Sequence, residues 1–197
     1  QIYGSRLWLV INCSNKVEVA RVEDAVKIGK VDVPNCRYVT FKDQFAYVSS
    51  YVGSVYSGSN SPLGSVFKVD TLSLHKIDSC SVGYQPEEMA IIGNKLYVAN
   101  SGGYQGMTGQ GYESTVSVID LESMQESDKI EIAPNLHHLK ADKYNQLWVT
   151  ARGNYMEEDG SIWWLEPDAN GQMKVGGHLD QSVSDLCIVG DSLYFYG

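Results

Sequence analysis

The chain has 197 residues and carries 24 acidic against 15 basic side chains, which gives a formal charge of −9 and a pI of about 4.8. This balance argues against a nucleic-acid-binding protein and against docking on anionic lipid, because both need clustered Lys and Arg. Apolar residues make up 43% of the chain and charged residues 20%, with 19 Gly and 13 Tyr, a composition typical of β-structure with long loops. No apolar run approaches the roughly 18 residues of a transmembrane helix.

One short aromatic phrase recurs along the chain and predicts a series of equivalent strands. Its copies are 7–10 (LWLV), 46–49 (AYVS), 96–99 (LYVA), 147–150 (LWVT) and 193–196 (LYFY). Each of the first four copies is followed by a strand in which apolar and polar residues alternate, and then by a third apolar strand. A fourth short strand leads into the next copy.

Each unit contains four short strands, and the units repeat in tandem about every 40–50 residues. This pattern predicts an all-β protein with the fold of a β-propeller, in which four-stranded antiparallel blades surround a channel. A β-sandwich also has short alternating strands, but it would not repeat the same phrase five times. We therefore interpret 1–197 as a single propeller domain. Its repeat units are 4–41, 42–91, 92–141 and 142–189, with the start of another at 190–197.

The strand count predicts an incomplete ring. We name the strands of each blade A to D from the channel outwards, with the recurring phrase as strand B. The first blade then lacks its A strand, and the last has only A and B, so we expect about four visible blades of a larger ring. A closed four-bladed ring with one spare strand is the alternative. An open arc would expose unpaired strand edges and self-associate unless something pairs with them.

Long loops on one face of the predicted disc favour a ligand site there. The B–C loops are long at 50–64, 100–114 and 152–160, and they are rich in Gly, Ser, Asn and Tyr, the composition of adaptable binding loops. The D–A links lie on the same face. We call this surface the loop face, and we expect a small molecule to bind there, near the channel.

The candidate ligand-binding residues come from these loops and links. They are Asn35, Arg37, Tyr38, Tyr51, Tyr84, Gln85, Glu87, Asn100, Tyr104, Tyr112, His137, Arg152, Asn154 and Tyr155. Tyrosine offers an apolar ring and a hydroxyl, which suits a broad, partly polar ligand. About half of the loop tyrosines, a set that also includes Tyr56, are expected to pack under their own loops instead, and each Asn has an equally good explanation as a turn residue.

Catalytic and metal sites are not predicted. Adjacent residues on a regular strand point to opposite sides, so His137 and His138 should not share one metal ion, and a single His lining the channel is expected. Residues 157–160 (EEDG) lack the spaced oxygen ligands of a calcium loop. No Ser–His–Asp order, phosphate loop or dinucleotide fingerprint occurs. Glu87, Glu88, Asp142 and Asp185 lie around inner strands, where two of them could form an acid–base pair. No cofactor is expected.

The four cysteines do not have metal-binding spacing. Cys13 and Cys36 both lie near the loop face, so a disulfide between adjacent blades is one alternative and two free thiols are the other. Cys80 and Cys187 are expected to be free and buried.

Several phrases resemble one group of propellers. Residues 95–100 (KLYVAN) and 115–120 (TVSVID) are similar to YVTN-type and YncE-like propellers and surface-layer proteins. Residues 10–17, 34–38, 83–89 and 99–104 resemble the seven-bladed surface lipoproteins of anaerobic gut bacteria, a branch that includes cobalamin-capturing proteins seated over an outer-membrane transporter. The resemblance implies a seven-bladed ring of roughly 330 residues. It also implies a signal peptide and a lipid-bearing Cys upstream of Gln1. Because the sequence does not begin with an initiator Met, we expect a processed or truncated product.

The favoured function is non-enzymatic capture of a small molecule at the cell surface. The resemblance implies a corrinoid such as cobalamin, an outer-membrane transporter as partner, and a location at the cell surface, outer membrane or periplasm, with membrane contact only through the upstream lipid anchor. A protein-interaction scaffold or surface-layer protein is the second hypothesis. A quinoprotein- or lactonase-type propeller enzyme is the third.

Overall fold

The structure is a computed structural model that describes residues 1–54, 61–156 and 159–197. Those ranges form eighteen β-strands, one 3₁₀ turn at Asn12–Ser14 and one four-residue helix, α1, at Gly103–Gly106. The all-β prediction is confirmed. No helix within the described ranges has the length and apolarity to cross a membrane.

Four four-stranded antiparallel sheets and one two-stranded sheet follow one another along the chain. Blade 1 consists of β1 (Ile2–Tyr3), β2 (Arg6–Ile11), β3 (Lys16–Arg21) and β4 (Lys27–Asp32). Blade 2 consists of β5 (Cys36–Lys42), β6 (Phe45–Ser50), β7 (Ser65–Asp70) and β8 (Lys76–Ser81). Blade 3 consists of β9 (Pro86–Ile92), β10 (Lys95–Asn100), β11 (Thr115–Asp120) and β12 (Gln125–Glu131).

The last full sheet and the partial one complete the chain. Blade 4 consists of β13 (Leu136–Ala141), β14 (Leu147–Ala151), β15 (Ser161–Pro167) and β16 (Met173–Leu179). The fifth sheet consists of β17 (Asp185–Val189) and β18 (Ser192–Tyr196). Strand order in each sheet follows the order in the chain, as in a meander. The predicted A and B strands at the end of the chain are therefore present.

Blade 1 has an A strand, and its predicted absence was wrong. Ile2 pairs with Leu7 and Tyr3 with Arg6, across a turn in which Gly4 has a φ of +59°. A strand of two residues has no alternation to read, which is why the sequence did not reveal it. Because β1 already occupies the inner position of blade 1, β17 is not needed to complete that sheet. The fifth sheet is instead the beginning of a further blade beside blade 4, where β17 contacts β13.

The core is formed between neighbouring blades rather than within them. Each of three buried clusters draws its side chains from two consecutive sheets. Trp8 and Val19 of blade 1 pack with Val48 of blade 2, and Tyr47 of blade 2 packs in a cluster with Leu96 of blade 3. A third cluster joins blades 3 and 4. Strand B therefore contributes to the core on both of its faces, which explains why its recurring phrase is apolar at consecutive positions.

All four cysteines are free thiols. Cys36 is buried and its Sγ donates to the Lys16 carbonyl oxygen at 3.3 Å, whereas Cys13 is exposed, so the disulfide alternative was wrong. Burial raises the pKa of the Cys36 thiol. Cys80 is buried as predicted, but the prediction that Cys187 is buried was wrong, because β17 lies at the uncovered end of the arc.

Candidate functional site

A β-bulge near the start of the inner strands of blades 2, 3 and 4 directs two consecutive side chains into the channel. In β5, Cys36 pairs with Ser50 and Val39 with Val48, so two residues stand opposite Ser49 alone. The same two-against-one count occurs in β9 and β13. The dipeptides displaced in this way are Arg37-Tyr38, Glu87-Glu88 and His137-His138. Because they come from three different blades and contact one another, both members of each dipeptide face the shared centre.

The bulge overturns one premise of the sequence analysis. His137 and His138 do not point to opposite sides of a regular strand, since their ring centroids are only 4.3 Å apart. Tyr38 contacts both rings edge-on, with centroids 6.1 Å from each. This geometry does not decide the prediction that no metal ion binds here. Among the described residues, no group of three His, Cys, Asp or Glu side chains could hold a metal ion. Glu157 and Glu158 of the proposed loop lie outside those residues.

The first channel layer is centred on Glu87, which is buried. The Arg37 Nε and Nη2 atoms donate to the two carboxylate oxygens of Glu87 at 3.0 and 3.2 Å, in a bidentate pair. The Tyr51 hydroxyl donates to the same carboxylate. His137 Nε2 lies 3.8 Å from Glu87 Oε2, and the Arg37 guanidinium stacks over the Tyr51 ring at 4.8 Å.

Burial dominates the electrostatics of this layer. It raises the pKa of Glu87, and the Arg37 guanidinium counteracts only part of that rise. Burial and the adjacent Glu87 charge also raise the pKa of the Tyr51 hydroxyl, which stays protonated as a donor. For His137, burial together with the neighbouring side chains of Arg152, His138 and Arg37 lowers the pKa to about 2. The His137 ring is therefore neutral at physiological pH.

The second channel layer is centred on His138. Its Nδ1 atom lies 3.1 Å from Glu88 Oε2 and 3.2 Å from Asp185 Oδ1, so it joins blade 3 to the fifth sheet. Lys140 Nζ also donates to Glu88. Burial alone would raise the pKa of Glu88, but the hydrogen bonds from His138 and Lys140 outweigh it and lower that pKa. Every carboxylate of this layer thus has a cationic or imidazole partner.

A hydroxyl opposite the bulge fixes its geometry in two blades. The Tyr38 backbone N–H donates to Ser49 Oγ at 3.1 Å, and Ser49 Oγ donates to the Glu87 carbonyl oxygen at 2.8 Å. In blade 4, the His138 backbone N–H donates to Thr150 Oγ1 at 3.0 Å. Ser49 and Thr150 occupy the same position of their repeats, directly opposite the displaced dipeptide.

Replacing Ser49 with alanine is expected to lower the free energy of unfolding by about 1–2 kcal/mol, because it leaves a buried N–H and a buried carbonyl without their partner. Urea denaturation measures this difference. The matched control is Ser79→Ala on the outer strand β8, where the side chain is exposed and no loss is expected. Equal stability of the two variants would show that the hydroxyl does not hold the bulge.

Left-handed residues just before the inner strands position the loops of the loop face. Asn35, Gln85 and Asn135 have φ values of 46°, 51° and 64°. Their carbonyl oxygens accept the backbone N–H groups of the first residues of the following B–C loops, which are Tyr51, Ser101 and Arg152. Each D–A link therefore carries the start of a B–C loop. This repeated turn explains how residues about 15–20 positions apart come together at the channel mouth.

A cavity of about 190 Å³ opens at this mouth and brings together six of the fourteen predicted residues. These six are Arg37, Tyr51, Glu87, Tyr104, Arg152 and Tyr155. Tyr51 contributes to the wall from a buried position, whereas Tyr155 is 65% exposed at the rim. Ser101, Gly103, Met107 and Asn135 complete the lining. A second pocket, of about 480 Å³, adjoins it through Arg37 and Tyr104.

The other predicted residues lie elsewhere or have structural roles. Asn35 lines the second pocket, and its Nδ2 donates to the Gly53 carbonyl oxygen at 2.9 Å. Gln85 is buried, and its Oε1 accepts the Tyr104 backbone N–H at 2.7 Å. Asn100 is fully buried, and its side-chain amide donates to the hydroxyls of Thr115 and Ser117. The expectation that Asn100 lies on the loop face was therefore wrong.

The remaining five side chains divide in the same way. Tyr38 and His137 lie in the channel layers described above. Tyr112 packs under its own loop, because its ring closely covers Gly106 of α1, and its centroid is 6.3 Å from that of Tyr155. Asn154 Oδ1 accepts the Met156 backbone N–H in a turn. Tyr84 is half-buried and does not line the cavity. Tyr56 lies outside the described residues.

Lys140 and Met107 are two of the site residues that were missed in the sequence. Lys140 follows His138 by two positions on β13, and that spacing places both side chains on one face of a strand, which was a readable signal. Met107 follows α1 in the second long loop and is 73% exposed at the rim, and nothing in the pattern indicated it.

Comparisons with known proteins give the fold and no family. No family model matches the sequence, and no curated protein matches it. Among solved structures, hydrazine synthase of Kuenenia stuttgartiensis is similar, with a TM-score of 0.67 and 17% identity over 87% of this chain and 51% of that one. NirN, a dihydro-heme d1 dehydrogenase in complex with DHE, gives 0.65 and 14% over 95% and 38%. The computationally designed Ika8 protein gives 0.62 and 11% over 99% and 53%.

The chain has a β-propeller fold. It spans about half or less of the length of these three solved chains. At identities of 11–17% the likeness extends to the fold alone. The propeller places its channel mouth, with the cavity, at the position where the B–C loops and D–A links meet.

Proposed function

We propose that this propeller is a non-enzymatic ligand-binding protein that captures a small molecule at the mouth of its channel. The observation that supports this function is the cavity itself, where polar and aromatic side chains from blades 2, 3 and 4 converge. Tyr104 and Tyr155 come from different loops and offer rings, while Arg37 and Arg152 offer guanidinium donors. A concave site with aromatic walls and a few convergent polar groups is the usual form of a small-molecule site.

The size of the cavity limits how a ligand is held. Its volume of about 190 Å³ is below the roughly 300–1,000 Å³ of pockets that enclose a drug-sized molecule. A large ligand would therefore insert one group and lie across the loops, with the adjoining pocket near Asn35 accepting another part. A corrinoid such as cobalamin is the first candidate, because it is broad, amphipathic and fringed with amides. That choice comes from the resemblance to surface lipoproteins.

The same resemblance supports the rest of the proposal. Capture at the cell surface, hand-over to an outer-membrane transporter and attachment through an upstream lipid anchor are proposed on that basis. The titratable side chains of the channel bond one another, as Glu87 does with Arg37, which fits a binding role better than a catalytic one. The alternative is a scaffold whose loop face docks a protein.

Tyr104→Ala and Tyr155→Ala are each expected to weaken ligand binding by about 1–2 kcal/mol, or roughly five- to thirtyfold, as buried aromatic contacts do. Calorimetric titration with cyanocobalamin measures the effect. Tyr84→Ala, outside the cavity, is expected to have a smaller one. The matched control is Tyr144→Ala, an exposed tyrosine in the turn between β13 and β14 on the opposite face.

The titration separates the two hypotheses. Binding that is weakened by the cavity variants and not by Tyr144→Ala supports capture at the channel mouth. Unchanged affinity in both cavity variants would reject this site. No heat and no thermal shift, together with recovery of a membrane protein in a pull-down, would favour the docking scaffold.

A further inference from the structure

We infer that the ligand presents an oxyanion, either a carboxylate or a phosphate ester, to the guanidinium of Arg152 at the channel mouth. The inference rests on the proposed function and names the chemical class of its ligand. It rests on a difference between the two arginines that line the cavity, because among the described residues only one of them forms an ion pair with a carboxylate.

Arg37 already has an ion-pair partner within the protein. Its Nε and Nη2 atoms bond both carboxylate oxygens of the buried Glu87, and its guanidinium stacks on the Tyr51 ring. The bidentate pair neutralises both charges. Arg37 and Glu87 therefore add no net charge to the cavity that they line.

Arg152 has no such partner in the part of the chain that the structure describes. Its backbone N–H donates to the Asn135 carbonyl oxygen, which fixes the residue at the rim of the cavity. Within the described ranges, no acidic side chain lies within 4.0 Å of its guanidinium, although Asp159 lines a neighbouring groove together with it. Arg152 is half-buried, and its charge acts inward, because it lowers the pKa of His137 and favours ionised Glu87. Among the described residues, the cavity thus carries one positive charge without an ion-pair partner, in a protein with a net charge of −9.

A second polar group beside this charge also lacks a partner. The Nδ1 atom of His137 is buried and has no hydrogen-bond partner among the described residues, and the side chain is only 8% exposed. Leaving such an atom unsatisfied costs about 1–3 kcal/mol. Arg152 directly follows the B strand of blade 4, and His137 lies in the A strand of the same blade. His137 is not among the residues that line the cavity, so Arg152 is the group to which the oxyanion is assigned.

The aromatic walls define the rest of the ligand. Tyr104 makes an edge contact with Tyr51, and Tyr155 makes one with Tyr112, in both cases with centroids 6.3 Å apart. Each ring at the cavity is therefore supported by a second ring. Supported rings present a preorganised apolar surface, which favours a flat body next to the charged group.

Titration with simple probes tests this assignment. Benzoate and phenyl phosphate carry the two oxyanions, and benzamide is the neutral isostere of benzoate. We expect the two anions to bind at least tenfold more tightly than benzamide, and Arg152→Gln to abolish that preference. Arg152→Lys is expected to retain part of it, because it keeps the charge without the planar fork. The matched control is Arg21→Gln on β3, an exposed arginine paired with Asp24, which should behave as the parent protein.

Corrinoids provide an independent arm. Cyanocobalamin carries a phosphodiester, and dicyanocobinamide lacks it. If cobalamin is the ligand, Arg152→Gln should weaken cyanocobalamin by about tenfold and leave dicyanocobinamide unchanged.

The outcomes distinguish this inference from the proposed function. Ligand binding that depends on Tyr104 and Tyr155 but not on Arg152 would overturn the oxyanion assignment and leave capture standing. Anion binding of equal strength in Arg152→Gln and the parent protein would show adventitious ions only and overturn it as well. If no probe and no corrinoid bind, both proposals fail. Circular dichroism of each variant confirms that the comparison is made between folded proteins.

Discussion

Replacing Glu87 with alanine is expected to lower the free energy of unfolding by about 3–5 kcal/mol, the cost of removing one partner from a buried ion pair. The carboxylate accepts two hydrogen bonds from Arg37 and one from the Tyr51 hydroxyl. Its loss strands a largely buried guanidinium and a buried phenol in a place that solvent reaches poorly. Urea denaturation at pH 7 measures the change from the shift in midpoint at constant slope.

Two further proteins show whether the ion pair is the cause. The double variant Arg37→Met with Glu87→Leu removes both charges and is expected to recover most of the lost stability, because apolar residues of similar size often replace a buried pair at little cost. Glu126→Ala removes a carboxylate from the surface pair with Lys129 and should cost less than about 1 kcal/mol. A cost for Glu87→Ala as small as that of Glu126→Ala would mean that the first channel layer does not stabilise the fold.

The fold was readable because its repeat is regular where the core is. Tyr47, Tyr97 and Trp148 occupy the same position of strand B, and the apolar residues on both sides of each are buried between neighbouring blades. Burial on two faces demands consecutive apolar residues, and this demand produces the phrase that recurs. By contrast, β1 was missed because two residues next to a glycine turn have no pattern, although they complete blade 1 through backbone pairing.

The site was only partly readable, for reasons that are local. The composition of the loops indicated the face on which the cavity opens, and Arg37, Glu87, Tyr104 and Arg152 were named from it. The bulge that turns both residues of a dipeptide into the channel depends on how β5, β9 and β13 pair with their neighbours, and single-sequence alternation cannot show a one-residue shift. The expectation that His137 and His138 point to opposite sides of the strand was wrong for that reason.

The hydrogen-bond partners of individual side chains also could not be predicted from the sequence. Asn100 and Asn35 are the same residue type near equivalent loops, but only Asn35 lines a pocket, while Asn100 bonds Thr115 and Ser117 inside its sheet. Arg37 and Arg152 differ in the same manner, since Arg37 pairs with a carboxylate and Arg152 pairs with none of the described ones. Whether a side chain already has a hydrogen-bond or ion-pair partner depends on contacts in the folded protein. It decides which of two similar residues remains available to a ligand.

Acidification is expected to destabilise the protein through His137. Burial and the neighbouring side chains of Arg152, His138 and Arg37 lower its folded-state pKa from 6.5 to about 2. Because the folded pKa lies below the unfolded one, the unfolded state binds the proton first, and the stability contribution is complete only above pH 6.5. It is lost as the pH falls, at about 1.4 kcal/mol per pH unit. The expected loss from this one group is about 3 kcal/mol between pH 7 and pH 4.5.

The variant His137→Gln isolates that contribution. Gln cannot take up the proton, so the difference in unfolding free energy between the parent protein and the variant should shrink by about 3 kcal/mol between pH 7 and pH 4.5. His75→Gln is the matched control, an exposed histidine at the outer edge of blade 2, and its pH profile should follow that of the parent protein. Urea denaturation at each pH gives the three profiles.

The subtraction is necessary because other channel groups titrate in the same range with different signs. The pKa of Glu87 is raised by burial, so the folded state holds that proton more tightly and this group gains stability as the pH falls. The pKa of Glu88 is lowered, so it acts in the same direction as His137 below about 4.5. Both groups are present in the parent protein and in His137→Gln, and their contributions largely cancel. Parallel profiles for these two proteins would show that His137 is protonated equally in both states, which contradicts a neutral, buried ring beside Glu87 and Arg152.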